Sequence, residues 1–257
     1  MLHYLIKLPI FKRLIPSITR RYYKFSKKNK NYYCIGNINF YFDFLDPIDR
    51  KIILNKCYEH DQVKFLEKKM KQIKFSNFFD IGANSGYYSF YFADKFKDLK
   101  IKSFELNIDA NYKFAKTLEK NNFKNIEKFN FGLSDREGQV TIRSMYKDGF
   151  VHSNSEVIDN SYNFDGELYK TKSANLKVGD DLFSFKNENL CMKIDVEGHE
   201  IHTLKGLVDN LQNNNCLILL ESETNFDEVN NFLKNLKYKC IFKSEYRSDY
   251  IYTNINI

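Results

Sequence analysis

Strand-like and helix-like segments alternate along most of this chain, and the alternation restricts the possible folds more than any other feature. Apolar segments with strand character lie at 75–81, 99–105, 125–133, 189–196 and 216–222. Four of them lead into segments whose apolar residues recur every three or four positions, as on one face of a helix. The chain ends in two strand-like segments with no helix between them. This order predicts an α/β, Rossmann-like fold: a mostly parallel seven-stranded sheet with helices on both faces and an antiparallel edge strand.

The pattern along the chain predicts three units. Residues 1–31 form a basic N-terminal arm, 32–74 an N-terminal hairpin and helical cap, and 75–257 the main α/β domain. The Gly36-Asn37 pair between two alternating apolar segments indicates the hairpin turn. Within the main domain, residues 144–175 form a polar insert dotted with aromatic residues. Its length is typical of either a functional lid or a disordered loop.

Positive charge is concentrated at the N-terminus. The chain carries 40 Lys and Arg against 33 Asp and Glu, for a net charge of +7, but nine of the basic residues precede Asp43, the first acidic one. The rest of the chain is slightly acidic, so nucleic acid is not expected as a partner. Residues 1–30 allow two interpretations: a basic amphipathic arm in peripheral contact with an anionic membrane surface, or a terminal helix packed on the domain. The uncharged stretches of this segment are too short to span a membrane.

Cysteine usage bears on the cellular compartment. The chain has five cysteines, Cys34, Cys57, Cys191, Cys216 and Cys240. An odd number at wide spacing, with no CxxC pair, argues against a disulfide framework and against a zinc knuckle. The sequence therefore predicts a cytoplasmic protein, which the basic arm could also hold at the inner membrane surface.

The segment DIGANSG, from Asp80 to Gly86, lies directly between a strand and a helix. Gly82 and Gly86 permit backbone angles and close approaches that a Cβ would block. An acidic residue at the strand end is unfavourable for a pyrophosphate, which GxGxxG loops bind, and it suits a cationic ligand. The motif therefore indicates the amino-acid end of S-adenosylmethionine, with Asp80, Gly82, Asn84 and Gly86 as cofactor-binding residues.

Two further strand ends carry side chains that accept hydrogen bonds. Glu105 ends the next strand, where a carboxylate can accept from both ribose hydroxyls. Ser134 and Asp135 follow the third strand, where an acceptor can recognise the adenine amino group. Because ligands of open α/β sheets bind outside the carboxyl ends of the strands, three such ends predict a site for a nucleoside-bearing ligand.

The most specific motif is KIDVEGHEIHTLKG, from Lys193 to Gly206. Together with DIGANSG, SFELN, LSDREG and LLESE, it resembles the FkbM family of S-adenosylmethionine-dependent methyltransferases over about residues 75–223. The resemblance implies a class I methyltransferase fold, with S-adenosylmethionine as the cofactor and S-adenosylhomocysteine as the product. It also implies an acceptor that is a small molecule or glycan, methylated on a hydroxyl of a sugar or other secondary metabolite.

Within this block, Asp195, Glu197 and His199 stand at alternate positions past the strand end. We expect Asp195 and Glu197 to line the acceptor pocket, and either His199 or Glu197 to be the general base that takes the hydroxyl proton. His199 could instead cap the helix that follows. Glu221, at the end of the next strand, is a candidate contact to the acceptor. Asp195, Glu197 and His199 could also bind a divalent metal, but no fixed spacing signature is present and no metal is expected.

Two other functions stay open at this point. A nucleic-acid methyltransferase would use the basic arm for phosphate contacts and would hold a flipped base. The Asn/Asp-Pro-Pro-aromatic motif typical of amino-group methylation is absent at the fourth strand, however. A membrane-peripheral binding protein could have kept the fold and lost catalysis. The residues that argue against this loss are intact: Asp80, Gly82, Gly86, Glu105 and Asp195.

Overall fold

The structure is a computed structural model that describes residues 17–23, 28–147, 150–158, 166–244 and 247–256. Its strands, in chain order, are β1 (Lys30–Ile35), β2 (Ile38–Asp43), β3 (Asn77–Ile81), β4 (Lys100–Phe104), β5 (Ile126–Phe129), β6 (Gly132–Ser134), β7 (Gly138–Lys147), β8 (Phe150–Val151), β9 (Glu156–Ile158), β10 (Tyr169–Val178), β11 (Asn189–Ile194), β12 (Asn215–Glu221), β13 (Lys239–Lys243) and β14 (Asp249–Thr253). Its helices are α1 (Pro47–Asn55), α2 (His60–Gln72), α3 (Tyr87–Lys95), α4 (Ile108–Asn121), α5 (Gly179–Leu182), α6 (Glu200–Lys205), α7 (Val208–Asn213) and α8 (Phe226–Asn235).

The central sheet has the spatial order β5-β4-β3-β11-β12-β14-β13. The five strands from β5 to β12 are parallel to one another, and β14 is antiparallel both to β12 and to the edge strand β13. The predicted mostly parallel seven-stranded sheet, closed by antiparallel pairing at one edge, is confirmed. The register places Asp80 beside Lys193 on one side and beside Ser103 on the other. The carboxyl ends of β3, β4 and β11 therefore meet at one edge of the sheet.

Helices cover both faces of this sheet because side chains alternate along each strand. Phe78 and Leu217 point into a core that α3, α4 and the β1–β2 hairpin share. Phe79 and Ile218, their neighbours in sequence, point into a second core shared with α6, α7 and α8. All four side chains are fully buried, and burial of each stabilises the fold by about 1.5–3 kcal/mol. Two covered faces explain why the central strands have nearly continuous apolar sequences.

The residues before β3 pack on the first of these cores. Phe40 and Phe42 of β2 are buried there together with Leu66 of α2. Helix α1 begins after Asp46, whose side chain accepts hydrogen bonds from the first backbone N–H groups of the helix. The hairpin and helices of residues 32–74 thus share a core with the main sheet, and their separation as a unit stays a prediction from sequence.

A second, smaller sheet departs from two expectations. The expected strand 125–133 is divided: β5 belongs to the central sheet, whereas β6 pairs with β10. The insert 144–175 also contains regular strands: residues 138–145 of β7 pair with β10, and β7 also pairs with β8 and β9. The polar composition of the insert hid these strands, since Ile142, Ala174 and Leu176 are the only buried apolar side chains among the described side chains of β7 to β10. Residues 148–149 and 159–165 lie outside the described residues.

Most of the basic arm also lies outside the described residues. Of residues 1–31, the structure describes a helix at 17–23 and the chain from residue 28 onward. Tyr23 of this helix stacks on Phe44 with 4.5 Å between ring centroids. Membrane contact through residues 1–30 therefore stays a prediction. Among the described helices, none has the length and apolar character needed to cross a membrane.

Candidate active site

A pocket opens at the carboxyl ends of β3, β4 and β11, where ligands of open α/β sheets bind. It encloses about 970 Å³, including the space at its open mouth. The predicted site residues that line it are Gly82, Asn84, Glu105, Asp195, Glu197, His199 and Glu221. The other predicted residues, Asp80, Gly86, Ser134 and Asp135, do not line it. The sequence motifs thus meet at one place, but not all of their side chains face it.

The loop after β3 lies directly against the backbone that follows β11. Gly82 has a φ of +75°, and a Cβ built on it would lie 1.8 Å from the backbone oxygen of Asp195. Gly86 has a φ of +88° and is the N-cap of α3; a Cβ there would lie 2.5 Å from the ring of Phe114. Both positions need the left-handed conformation that glycine adopts without a steric penalty. The two glycines therefore let the loop approach β11 and α4 closely.

Replacing Gly82 by alanine is expected to destabilise the protein by about 1–3 kcal/mol, because a left-handed alanine is strained and its Cβ meets a backbone oxygen. Urea unfolding followed by circular dichroism measures this loss. Gly138→Ala is the matched control, because nothing lies within 4 Å of a Cβ built at Gly138; its effect should stay within about 0.5 kcal/mol. Equal midpoints for the two variants would contradict the close approach of the two chain segments.

Asp80 stabilises the glycine loop and the start of α3 through its buried side chain. The side chain is 1% exposed, and its Oδ2 accepts hydrogen bonds from the backbone N of Ser89 at 3.0 Å and from the Ser89 hydroxyl at 2.5 Å. Burial raises the pKa of Asp80 above its ordinary value, although Lys193 and the Ser89 hydrogen bonds oppose the shift. In this arrangement Asp80 fixes the start of α3, and its direct contact with a cofactor stays a prediction.

Glu105 joins the end of β4 to the glycine loop. One of its carboxylate oxygens accepts from the backbone N of Asn84, and the other accepts from the backbone N of Asn107, each at 2.7 Å. The side chain is 8% exposed and lines the pocket. Because an ionised carboxylate can accept about four hydrogen bonds, two acceptor positions remain for a ligand with paired hydroxyl groups.

The predicted adenine-side residues bind two histidines. The Ser134 hydroxyl lies 2.9 Å from Nε2 of His199, and Asp135 lies 2.9 Å from Nδ1 of His202. The two imidazole rings stack with 4.7 Å between centroids. Burial, followed by the neighbouring His202, lowers the pKa of His199 to about 4. His199 is therefore a neutral imidazole near pH 7, held against the loop after β6.

Lys193, a residue that the sequence analysis did not select, lies at the centre of the site. Its Nζ donates to the backbone O of Gly82 at 2.7 Å and pairs with Asp195 at 3.0 Å and with Asp80 at 4.0 Å. Burial alone would lower the pKa of Lys193, but the charges of Asp195 and Asp80 raise it above its ordinary value. One cation thus holds the two loops and two acidic side chains together. A lysine inside the buried strand NLCMKI was the available sequence signal.

Glu197 stands at the mouth of the pocket in a tight turn. It has a φ of +50° and is followed by Gly198 with a φ of +96°. Although solvent reaches the side chain, the protein packed around it and then the charge of Asp195 raise the pKa of Glu197 to about 7. Asn154, from the insert, donates to Oε1 of Glu197 at 2.6 Å and accepts from the Asn84 side chain at 3.1 Å. Sequence reasoning missed Asn154, since no motif surrounds it.

Comparison of the chain with models of protein families gives a match that spans these loops. The model described as "Methyltransferase FkbM domain" matches residues 80–240, from the glycine loop to β13. The chain belongs to the FkbM methyltransferase family. It is thus a methyltransferase with the class I type of fold, as the resemblance in the sequence implied. Comparison of this FkbM methyltransferase with curated protein sequences gives no significant match.

Solved structures similar to the FkbM methyltransferase include other methyltransferases. One is the precorrin-6y C5,15-methyltransferase of Geobacter metallireducens, at 11% identity and a TM-score of 0.43, over 77% of this chain and 89% of that one. Another is an rRNA methylase of Streptococcus thermophilus, at 12% identity and a TM-score of 0.44, over 76% and 93%. A third is the Pyrococcus abyssi tRNA (uracil-54, C5)-methyltransferase in complex with S-adenosyl-L-homocysteine, at 12% identity and a TM-score of 0.45, over 88% and 43%.

Arg247 is a further pocket residue of the FkbM methyltransferase that the sequence analysis missed. It pairs with Glu59 before α2, with Glu221 at the end of β12 at 3.3 Å, and with Asp249 of β14 at 3.4 Å. Burial and the neighbouring charge of Asp195 raise the pKa of Glu221 to about 8 in spite of Arg247. This network connects Glu221 to the N-terminal helices. Within the described part of the chain, no three His, Cys, Asp or Glu side chains are grouped so as to hold a metal ion.

Proposed function

We propose that this protein transfers the methyl group of S-adenosylmethionine to a hydroxyl oxygen of a sugar, glycan or other secondary metabolite. One observation carries the proposal: the glycine loop and Glu105 line the same pocket as Asp195, Glu197 and His199. The first group of residues suits a nucleoside with an amino-acid end, and the second suits an acceptor that must lose a proton. The methyl donor and the acceptor can therefore meet at the mouth of one pocket.

The residues of the pocket fit this cofactor. The Oδ1 atom of Asn84 is buried and has no hydrogen-bond partner in the described part of the chain, so a ligand donor can satisfy it. Glu105 keeps free acceptor positions for the ribose hydroxyls, and the backbone of the glycine loop, which lines the pocket from Gly82 to Ser85, can contact the amino-acid end. When bound, the cofactor supplies a methyl group on a sulfonium; the new O–CH₃ bond forms as the S–CH₃ bond breaks, and the electron pair stays on sulfur.

The protein's own contribution is orientation and removal of one proton. Positioning of two reactants can supply roughly 7–11 kcal/mol of the barrier. A general base works best when its pKa lies near the operating pH. Glu197, with a pKa of about 7, meets this condition, whereas His199, with a pKa of about 4, is a weak base. We therefore assign the hydroxyl proton to the Glu197 carboxylate, and to His199 the role of holding Ser134.

Titration calorimetry tests the cofactor assignment. We expect S-adenosylmethionine and S-adenosylhomocysteine both to bind with a Kd well below about 1 mM. Asp80→Ala should abolish the binding, because α3 and the glycine loop lose their buried anchor at Ser89. Asp80→Asn should keep part of it, since the amide oxygen can still accept from Ser89. If neither compound binds to the unaltered protein at millimolar concentration, the proposed function is wrong.

The pH dependence of methyl transfer tests the base. The rate should rise with pH through about 7 and then level off, because Glu197 accepts a proton only when ionised. Asn154→Ala should move this rise to higher pH by up to about one pH unit, since the lost hydrogen bond stabilised the ionised form. Rates measured from pH 5.5 to 9, with labelled methyl donor and an acceptor fraction of cell extract, give both profiles. A profile that does not change between pH 6 and 8 would remove Glu197 from this role.

A further inference from the structure

A second pocket adjoins the first on the side away from the glycine loop. It encloses about 920 Å³, including its open mouth, and is lined by residues from β9, the turn before α6, and the end of β12. Five residues line both pockets: Val157, Asp195, Glu197, His199 and Glu221. The proposed base therefore stands in the wall between them. With the cofactor in the first pocket, the second is the space that remains for the acceptor.

The wall of this second pocket is acidic. Six of its lining residues are carboxylates: Glu156, Asp195, Glu197, Glu200, Glu221 and Glu223. Its described lining includes no Lys or Arg, and His199 is neutral near pH 7 because burial lowers its pKa. A pocket lined by one sign of charge attracts ligands of the opposite sign.

Only half of these six acidic side chains have a basic partner. Three of the carboxylates pair with basic side chains that lie outside the pocket lining, namely Glu156 with Arg143 at 2.6 Å, Asp195 with Lys193 at 3.0 Å and Glu221 with Arg247 at 3.3 Å. Glu197, Glu200 and Glu223 have no ion pair within the described ranges of the chain. Glu197 and Glu200 come from the segment that leads into and begins α6, and Glu223 follows the end of β12.

Glu200 gives independent reason to place a ligand here. The side chain is only 2% exposed, and it lines the second pocket. Its Oε1 accepts from the backbone N of Gly198 at 2.8 Å, whereas its Oε2 is buried and, although the Asn225 side chain is a neighbour of this carboxyl group, has no donor within hydrogen-bond distance in the described part of the chain. A buried carboxylate oxygen left unpaired costs about 1–3 kcal/mol or more. A donor on a bound acceptor would remove this cost.

We propose that the second pocket binds a protonated amine of the acceptor, so that the substrate class is a hydroxylated amine such as an amino sugar. This rests on the proposed function, because it takes the first pocket as the cofactor site. The ammonium group donates to Glu200 and is held by the charges of Glu197 and Glu223. Its three donors match carboxylates arranged around it better than a neutral hydroxyl would.

The same electrostatics directs the methyl group to oxygen rather than nitrogen. Neighbouring negative charges favour the protonated form of an amine, and an ammonium has no lone pair with which to attack a methyl group. A hydroxyl on the same acceptor keeps its lone pairs, and Glu197 takes its proton. The amine is thus the recognition group, and the hydroxyl is the nucleophile.

Binding of simple amino sugars to the protein saturated with S-adenosylhomocysteine tests the proposal. The probes are D-glucosamine and D-galactosamine, each compared with its N-acetyl form, which has a similar shape and no charge. Saturation-transfer NMR titrations give the affinities. We expect each amine to bind at least about tenfold more tightly than its N-acetyl form, as one charge-assisted hydrogen bond provides.

Three variants test whether the preference for the amine arises in the second pocket. Glu200→Gln should reduce the preference for the amine by about tenfold, and the exposed Glu223→Gln by about twofold to fivefold. Glu228→Gln removes the same charge from α8 outside the pocket lining and should change nothing. S-adenosylhomocysteine should bind all three as it binds the unaltered protein. Because Glu223 is exposed, its variant remains informative even if Glu200→Gln does not fold.

Three results would overturn the proposal. The first is equal binding, within twofold, of amines and N-acetyl forms to the complex with S-adenosylhomocysteine. The second is saturable binding of Mg²⁺, added as MgCl₂, that Glu200→Gln abolishes, since the pocket would then be a metal site. The third is a protein that does not bind S-adenosylhomocysteine at all, and only this result would also reject the proposed function.

Discussion

Replacing Glu197 by glutamine is expected to lower the rate of methyl transfer by about 10²–10⁴-fold, which is what a positioned general base contributes. Glutamine keeps the size of the side chain and an oxygen that can accept from Asn154, but it cannot take a proton. The affinity for S-adenosylhomocysteine should change little, because glutamine keeps the hydrogen bond from Asn154 that connects position 197 to Asn84 of the glycine loop. Label transfer to the acceptor fraction measures the rate, and calorimetry measures the affinity.

His199→Gln distinguishes the two candidate bases. The His199 ring is within hydrogen-bond distance of Ser134 and stacks on His202, so its loss should disturb the nucleoside side of the pocket. We expect a weaker affinity for S-adenosylhomocysteine and a rate at saturating donor that falls by less than about tenfold. The assignment would be reversed if His199→Gln lost more of the saturated rate than Glu197→Gln. The rise in rate near pH 7 should persist in His199→Gln and disappear in Glu197→Gln.

The central sheet could be predicted from sequence because each of its strands and helices is specified by a pattern within a short segment of the chain. Strand β3 is one buried, apolar stretch, and α3 follows it after a single loop with glycines at both ends. The order of strands and helices then limits the topology to a few possibilities. The strand β10 escaped prediction because it pairs with β7, some thirty residues earlier in the chain, and buries few apolar side chains. Pairing at that distance leaves no periodic signal in a polar sequence.

The residues of the candidate site divide in the same way, into those marked by a short sequence motif and those that depend on distant contacts. Glycines and strand-end carboxylates could be recognised because each stands in a short motif beside a strand. Lys193, Arg247 and Asn154 were missed because their importance comes from partners far along the chain: Gly82 for Lys193, Glu59 for Arg247 and Glu197 for Asn154. Asp80 was selected for the right place in the fold, but its side chain faces α3 and not the pocket.

A buried charge cluster joins three parts of the chain. Lys113 of α4 pairs with Asp49 at 2.6 Å and with Asp46 at 3.3 Å, and all three side chains are buried. Asp49 also accepts from the hydroxyl of Ser85 in the glycine loop at 3.0 Å. Asp46 accepts from Ser153 in the insert at 2.6 Å. Lys113 is thus the shared positive partner of the two carboxyl groups that connect the cap, the glycine loop and the insert.

Replacing Lys113 by methionine should therefore destabilise the protein by about 3–5 kcal/mol, since it leaves two buried carboxylates without a positive partner. Urea unfolding followed by circular dichroism gives the loss. Lys116→Met is the matched control on the same helix: Lys116 pairs with the exposed Glu119, and its loss should cost less than about 1 kcal/mol. Adding Asp49→Asn to Lys113→Met should recover part of the stability, because it removes one uncompensated charge. Equal losses for the two lysine variants would mean that the buried ion pairs of Lys113 stabilise the protein no more than an exposed pair does.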